Sequence, residues 1–197
     1  LIPAGEFTFL DFYESGGVPV VMSSLESVLN MDVLTCTKRT IKDNLSTIEM
    51  KDENIIRKLN NPVHTRPGIA VLKGNIAPDG SVTKPSAIPD EALFFKGSAV
   101  VFESEEDALE GIRNLLVKSG QVVVIINEGP KGRPGMPEMY KARKLLVGMD
   151  LGKDVCVITA GRFSGSNNGC FVGHICPAAF DDGPLRDLEM GDEIIVA

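Results

Sequence analysis

Apolar residues fall into two textures along the chain, helical spacing upstream of Gly68 and short continuous runs downstream of it. Upstream, Val20, Val21, Leu25, Val28 and Leu29 recur every three or four residues, which predicts a helix of about three turns after Pro19. Proline suits a helix start because its missing N–H would have no partner there. A short strand at Val33–Thr37 and a short helix at Thr40–Leu45 are expected next.

Downstream, Ile69–Leu72 and Ser81–Lys84 read as strands around Asp79-Gly80, a turn signal because glycine takes positive φ freely. Ala99–Phe102 is a further strand. Ser104 reads as an N-cap, with Glu105, Glu106 and Asp107 in the acidic first turn of a helix buried through Ala108, Leu109, Ile112, Leu115 and Leu116. Two later units share a plan. Val122–Ile126 leads through a Gly/Pro loop into a helix from Glu138 to Val147, and Val155–Thr159 leads into a Gly/Ser/Asn loop from Gly161 to Gly169. Strands apolar on both faces are covered on both sides, as in a parallel or mixed sheet. Asp192–Val196 closes the chain, which reads as one α/β domain over residues 1–197 with several hairpins.

Composition narrows the function. With 43% apolar and 24% charged residues, 197 residues build a core without disulfides or metal. A net charge of −7 without clustered Lys or Arg argues against a nucleic-acid partner. No apolar run reaches the ~18 residues that cross a bilayer, so no membrane partner is expected. Cys36, Cys156, Cys170 and Cys176 form no CxxC pair and fit buried free thiols in a reducing cytoplasm better than disulfides or a zinc knuckle. The chain opens on Leu1 rather than Met, which points to a piece of a longer polypeptide.

Two loops have the composition for chemistry. Asn127–Met139 holds three glycines and three prolines, which bring the backbone close to a ligand in one shape. Its Glu138 is either an oxygen ligand for Mg²⁺ or a carboxylate that complements the helix dipole. On residue type alone the dipole role is the plainer one. In Gly161–Gly169, Ser164 is either a hydroxyl beside an anion-binding nest or part of an ordinary turn. His64 and His174 are the only histidines, and His174 reads as a structural strand residue. No GxGxxG or Walker loop supports a nucleotide.

Six segments in order resemble the dihydroxy-acid dehydratase and phosphogluconate dehydratase family: DFYESGGVPVVM (11–22), NNPVHTRPGIAVL (60–72), GNIAPDGSV (74–82), EGPKGRPGMPEM (128–139), GRFSG (161–165) and GHICP (173–177). The resemblance covers the family's C-terminal portion. It implies a swivelling β/β/α domain with a mixed, barrel-like sheet flanked by helices. The implied activity is a hydro-lyase turning a 2,3-dihydroxy acid into a 2-keto acid, and the implied assembly is a cytoplasmic homodimer. An iron–sulfur cluster, held by a missing N-terminal domain of the same polypeptide, acts on the C3 hydroxyl together with Mg²⁺.

By the same resemblance Ser164 is the base at C2, Glu138 the magnesium ligand of this domain, and Gly165 and Ser166 lie against the substrate. Ala160 stands where relatives often carry Asp, and Ser166-Asn167-Asn168 departs from their usual residues. Lys84–Ala87 looks more like sugar-acid dehydratases, whereas GRFSG and EGPKG look more like the enzyme of branched-chain amino-acid synthesis. The expected substrate is therefore 2,3-dihydroxy-3-methylbutanoate, with an aldonic acid as the alternative. An isolated fragment is expected to be inactive. Two competing readings are a non-catalytic binding module and a phosphohistidine carrier built on His64 or His174.

Overall fold

The computed structural model describes Leu1, residues 5–164 and residues 169–197. They form two compact units, Leu1–Thr65 and Arg66–Ala197.

The first unit is helical. In α1 (Phe9–Glu14), Thr8 Oγ1 accepts from the Asp11 N–H while Asp11 accepts from the Thr8 N–H, so each end of the capping pair satisfies the other. Thr40 and Asp43 repeat the device at α3 (Ile41–Leu45). The expected three-turn helix is shorter. α2 runs Gly17–Ser24, and the chain tightens into a 3₁₀ turn at Glu26–Val28. The expected strand at Val33–Thr37 is a turn closed by the isolated bridge Leu34–Thr40, with Lys38 at φ +61°. Val20 and Ile56 are the buried hydrophobic residues described in this unit, while Phe9, Leu10, Tyr13 and Val18 are exposed.

The second unit is built on seven strands: β1 (Ala70–Leu72), β2 (Gly80–Thr83), β3 (Phe95–Phe102), β4 (Gln121–Ile125), β5 (Cys156–Thr159), β6 (Phe171–Cys176) and β7 (Glu193–Val196). Their order is β1-β2-β6-β5-β4-β3-β7. The four central strands are parallel, and β1, β2 and β7 pair antiparallel. The sheet is mixed, as expected.

Strand alternation divides the interior in two. Val122, Val124, Ile126 and Ile158 face one core, and Val123, Ile125 and Val157 face the other. The first core also takes Leu72 and Ile76 from one edge and Ile194 and Val196 from the opposite edge, so the sheet curls into a half-barrel around it. The second is covered by α4 (Glu105–Arg113) and α5 (Tyr140–Gly148), through Ala108, Ile112, Ala142 and Leu146. Each buried Ile, Leu or Val side chain contributes about 1.5–3 kcal/mol, which makes this sheet a rigid base for the loops at its ends.

Two helix boundaries depart from the expected pattern. Leu115 and Leu116 are exposed at 68% and 57%, not part of the buried face. The helix ends at Arg113, the Leu116 N–H reaches back to the Gly111 carbonyl, and Leu115 takes φ +60°, so the chain turns outward before either leucine reaches the core. The second helix begins at Tyr140, after Glu138. All four cysteines are free. Cys156 and Cys170 are buried, with Sγ atoms 2.7 Å apart, while Cys36 and Cys176 are exposed.

Candidate active-site loops

Strands β4 and β5 run parallel, so the segments that leave their C-terminal ends emerge side by side. These segments are 126–139 and 160–164, the two loops whose composition suggests chemistry. They are tied together where it matters. Glu138 and Arg162 form a parallel β-bridge, the Met139 N–H donates to the Arg162 carbonyl at 2.9 Å, and the Arg162 N–H donates to the Pro137 carbonyl at 3.3 Å. The Arg162 guanidinium then closes the loop from above, donating to the carbonyls of Met136 (2.6 Å) and Gly135 (3.2 Å).

Glu138 therefore sits on a strand-like pair directly before the N-cap of α5 rather than in its first turn. Its side chain is exposed, and among the described residues no hydrogen bond or ion pair engages the carboxylate. Ser164 is half-buried two residues beyond the tie. Phe163 anchors it from below, with its ring centroid 4.7 Å from that of Phe171 and its edge against Gly173, where a Cβ would meet Phe163 Cδ1 at 2.5 Å. The Gly161 N–H donates to Thr159 Oγ1 at 2.9 Å, which fixes the departure of the chain from β5. Gly165 and Ser166 lie outside the described residues.

Between the loops and the end of β6 opens a cleft of about 390 Å³. Its walls include Pro130, Met136, Ala160, Ile175 and Pro177, and His174 supplies a polar edge. The exposed pair Lys131–Asp181 stands at the rim. Ser164 and Glu138 do not line this cleft; each lies further along a loop that does. His174 is exposed on β6, a strand position as expected. Shielding by its surroundings, and then the Arg162 charge, hold its imidazole below the usual pKa.

Two carboxylates without an obvious role in the sequence build the support under these loops. Glu128, fully buried, accepts the Glu105 N–H at 2.6 Å and so caps α4. Glu105, also buried, accepts the N–H groups of Lys141 and Ala142, both at 3.0 Å, and so caps α5. Burial pushes the Glu128 carboxyl above its ordinary pKa, against the opposing pull of the Glu105 N–H and Arg133. The acidic run 105–107 marks Glu105 as a first-turn residue of its own helix, and only the packing of α4 on α5 reveals that its side chain serves the neighbour. Replacing Glu105 with alanine strands two partly buried helix N–H donors and lowers stability by about 2–4 kcal/mol. Glu105→Gln keeps an acceptor and loses less than half of that. Urea midpoints of the two variants check this, and equal losses would contradict it.

At the far end of the second loop, Gly169 (φ +112°) packs on Arg143 of α5, where a Cβ would meet Nη2 at 2.7 Å. Arg143 is buried, and its Nε and Nη1 have no hydrogen-bond partner among the described residues.

Among the described residues no group of three or more His, Cys, Asp and Glu is arranged to hold a metal ion. No helix among them is long and apolar enough to cross a membrane.

Comparison with known proteins adds the following. Residues 54–197 match the model of the dihydroxy-acid/6-phosphogluconate dehydratase C-terminal domain. A dihydroxy-acid dehydratase of Acetivibrio thermocellus is 44% identical over 198 residues, covering 100% of this chain and 36% of that protein. Proteins of the same name are 43% identical in Methanothermobacter thermautotrophicus and 45% identical in Agathobacter rectalis, each covering 98% of this chain and 35% of the relative. The chain thus spans about a third of the length of the relatives it matches.

Proposed function

The chain belongs to the dihydroxy-acid/6-phosphogluconate dehydratase family through that C-terminal domain, and from this premise we propose that it supplies one half of a hydro-lyase site that converts a 2,3-dihydroxy acid into a 2-keto acid. The observation that carries the proposal is the tie between Glu138 and Arg162. It holds a free carboxylate and the Ser164 hydroxyl on adjacent loops at one end of the sheet. Such a site removes the C2 proton to Ser164, releases the C3 hydroxyl as water, and leaves an enol that takes a proton at C3 to become the keto acid.

A serine is a poor base unless positive charge stabilises its alkoxide. The Arg162 guanidinium keeps its charge but spends donors on two backbone carbonyls, which leaves room for a second positive charge at the site. The Glu138 carboxylate, exposed and unengaged among the described residues, is a hard oxygen donor suited to Mg²⁺. One carboxylate is far short of the six ligands magnesium takes, so the others come from water, substrate and residues outside this chain. When bound there, Mg²⁺ supplies the charge that stabilises oxyanions at C2 and at Ser164.

Among the described residues no cysteines are grouped to hold a cluster, and Cys156 and Cys170 are buried against each other. The ligands of an iron–sulfur cluster are therefore assigned to the remainder of the polypeptide, the N-terminal domain. On this reading the protein acts as a cytoplasmic homodimer, with Gly165 and Ser166 against the substrate and the chain by itself inactive.

The apolar walls of the cleft favour a branched alkyl chain, and hence 2,3-dihydroxy-3-methylbutanoate. One observation favours an aldonic acid instead. Lys84, in the sugar-acid-like segment, places its ammonium 5.4 Å from the Phe163 ring, beside Ser164, where a longer hydroxylated chain would find a donor. Keto-acid formation by the full polypeptide, assembled anaerobically with cluster and Mg²⁺, decides between them on a panel of both substrate types. Turnover of the branched acid alone is expected. Turnover of aldonates alone would transfer the protein to the second substrate, and no turnover of either would leave a binding module.

A further inference from the structure

His174 is the one non-glycine residue with positive φ that lies inside a β-strand among the described residues (φ +54°). The cause is a bulge. Between β2 and β6, Gly80 pairs with Cys176 and Val82 with Gly173, so two steps on β2 span three on β6. The extra residue resets the alternation of faces. Val172 points into the half-barrel core, and the next position on that face would be residue 174; instead it is Ile175 that enters the core. The imidazole is turned outward, to the edge of the cleft shared with Pro130, Met136 and Ala160. The His174 backbone N–H donates to the Gly161 carbonyl at 2.8 Å, which ties the bulge to the first residue of the GRFSG loop. Bulges of this kind re-aim side chains beside active sites, and left-handed backbone at a non-glycine residue is a strained conformation that local structure must hold.

We infer that His174 is a substrate-contacting, specificity-determining residue of this cleft, its imidazole hydrogen-bonded to a hydroxyl of the dihydroxy acid while the apolar walls take the alkyl chain. This rests on the functional reading above and adds a residue to it. An imidazole held in its neutral form has one donor and one acceptor nitrogen, which matches a hydroxyl better than a carboxylate. His174 thereby differs from a strand residue kept for packing, since its side chain enters neither core.

The bulge itself provides the test, because glycine adopts positive φ without strain and asparagine tolerates it. In the full polypeptide, His174→Gly keeps the backbone and deletes only the imidazole. Its expected result is a melting temperature equal to or above that of the wild type, with kcat/KM lower by at least about thirtyfold. His174→Asn restores a donor and acceptor near the same place and recovers at least about tenfold of that loss. An active wild type matched within about threefold by His174→Gly would overturn the inference alone. So would a lowered melting temperature in His174→Gly without recovery in His174→Asn, since the imidazole would then serve the fold. A wild type that forms no keto acid from any dihydroxy acid would overturn the functional reading, and this inference with it.

Discussion

Ser164→Ala is expected to lower kcat of the full polypeptide by at least about 10³-fold, while the melting temperature and the spectrum of the cluster proposed above stay as in the wild type. The magnitude follows from the role. A positioned base contributes about 10²–10⁴-fold, and alanine leaves no oxygen that accepts the C2 proton. The loop keeps anchors that do not use the Ser164 side chain, so a melting temperature close to that of the wild type is expected. Phe163 stacks on Phe171, Gly161 donates to Thr159, and Arg162 spans to Gly135 and Met136. Steady-state formation of keto acid by the purified variant reads the effect. Turnover within about tenfold of the wild type would remove Ser164 from the role of base.

Glu138→Ala is the second large effect, a loss of at least about 100-fold in kcat that excess Mg²⁺ does not restore. The carboxylate stands on a β-bridge, so its position does not depend on the side chain it carries. The variant therefore folds with its backbone hydrogen bonds to Arg162 intact, at 2.9 Å and 3.3 Å. Removal of magnesium from the wild type by a chelator gives a comparable loss, and that loss is reversed on adding the ion back. A Mg²⁺ titration of both proteins separates the outcomes. If Glu138→Ala retains wild-type kcat at the same magnesium concentration, the carboxylate is not a ligand.

The parts of this account that were legible in the chain share a physical reason. Val122–Ile126 and Val155–Thr159 read as strands covered on both faces because every residue but Thr159 is apolar, and both strands are fully buried over β4 positions 122–125 and over β5. Ser104 read as a cap because a hydroxyl three residues before an acidic side chain satisfies local N–H groups, a matter settled within one turn. What was not legible depends on partners distant in sequence. Glu105 caps a helix 36 residues away from it. The outward turn at Leu115 follows from how the helix ends, and helical spacing alone does not register it.

The position of Glu138 is similar. Its neighbours suit a helix start, yet the facing chain at Arg162 draws it into a bridge. The orientation of His174 rests on a register shift against β2, which no pattern within GHICP encodes. As for the roles of Ser164 and Glu138, residue chemistry alone left them among ordinary turns and helix starts, and only the resemblance singled them out.

The most direct test of the central claim is the isotopic fate of the C3 position. The full polypeptide, with cluster and Mg²⁺, is supplied with 2,3-dihydroxy-3-methylbutanoate in D₂O, and the keto acid is analysed by NMR and mass spectrometry before it exchanges with solvent. Proton removal at C2 followed by loss of the C3 hydroxyl passes through an enol, so the account predicts a 2-keto acid with one deuterium at C3. A keto acid bearing only the substrate's own C2 hydrogen at C3 would contradict it, since no free enol would then have met solvent, whether that hydrogen moved by a direct 1,2-shift or was returned by Ser164.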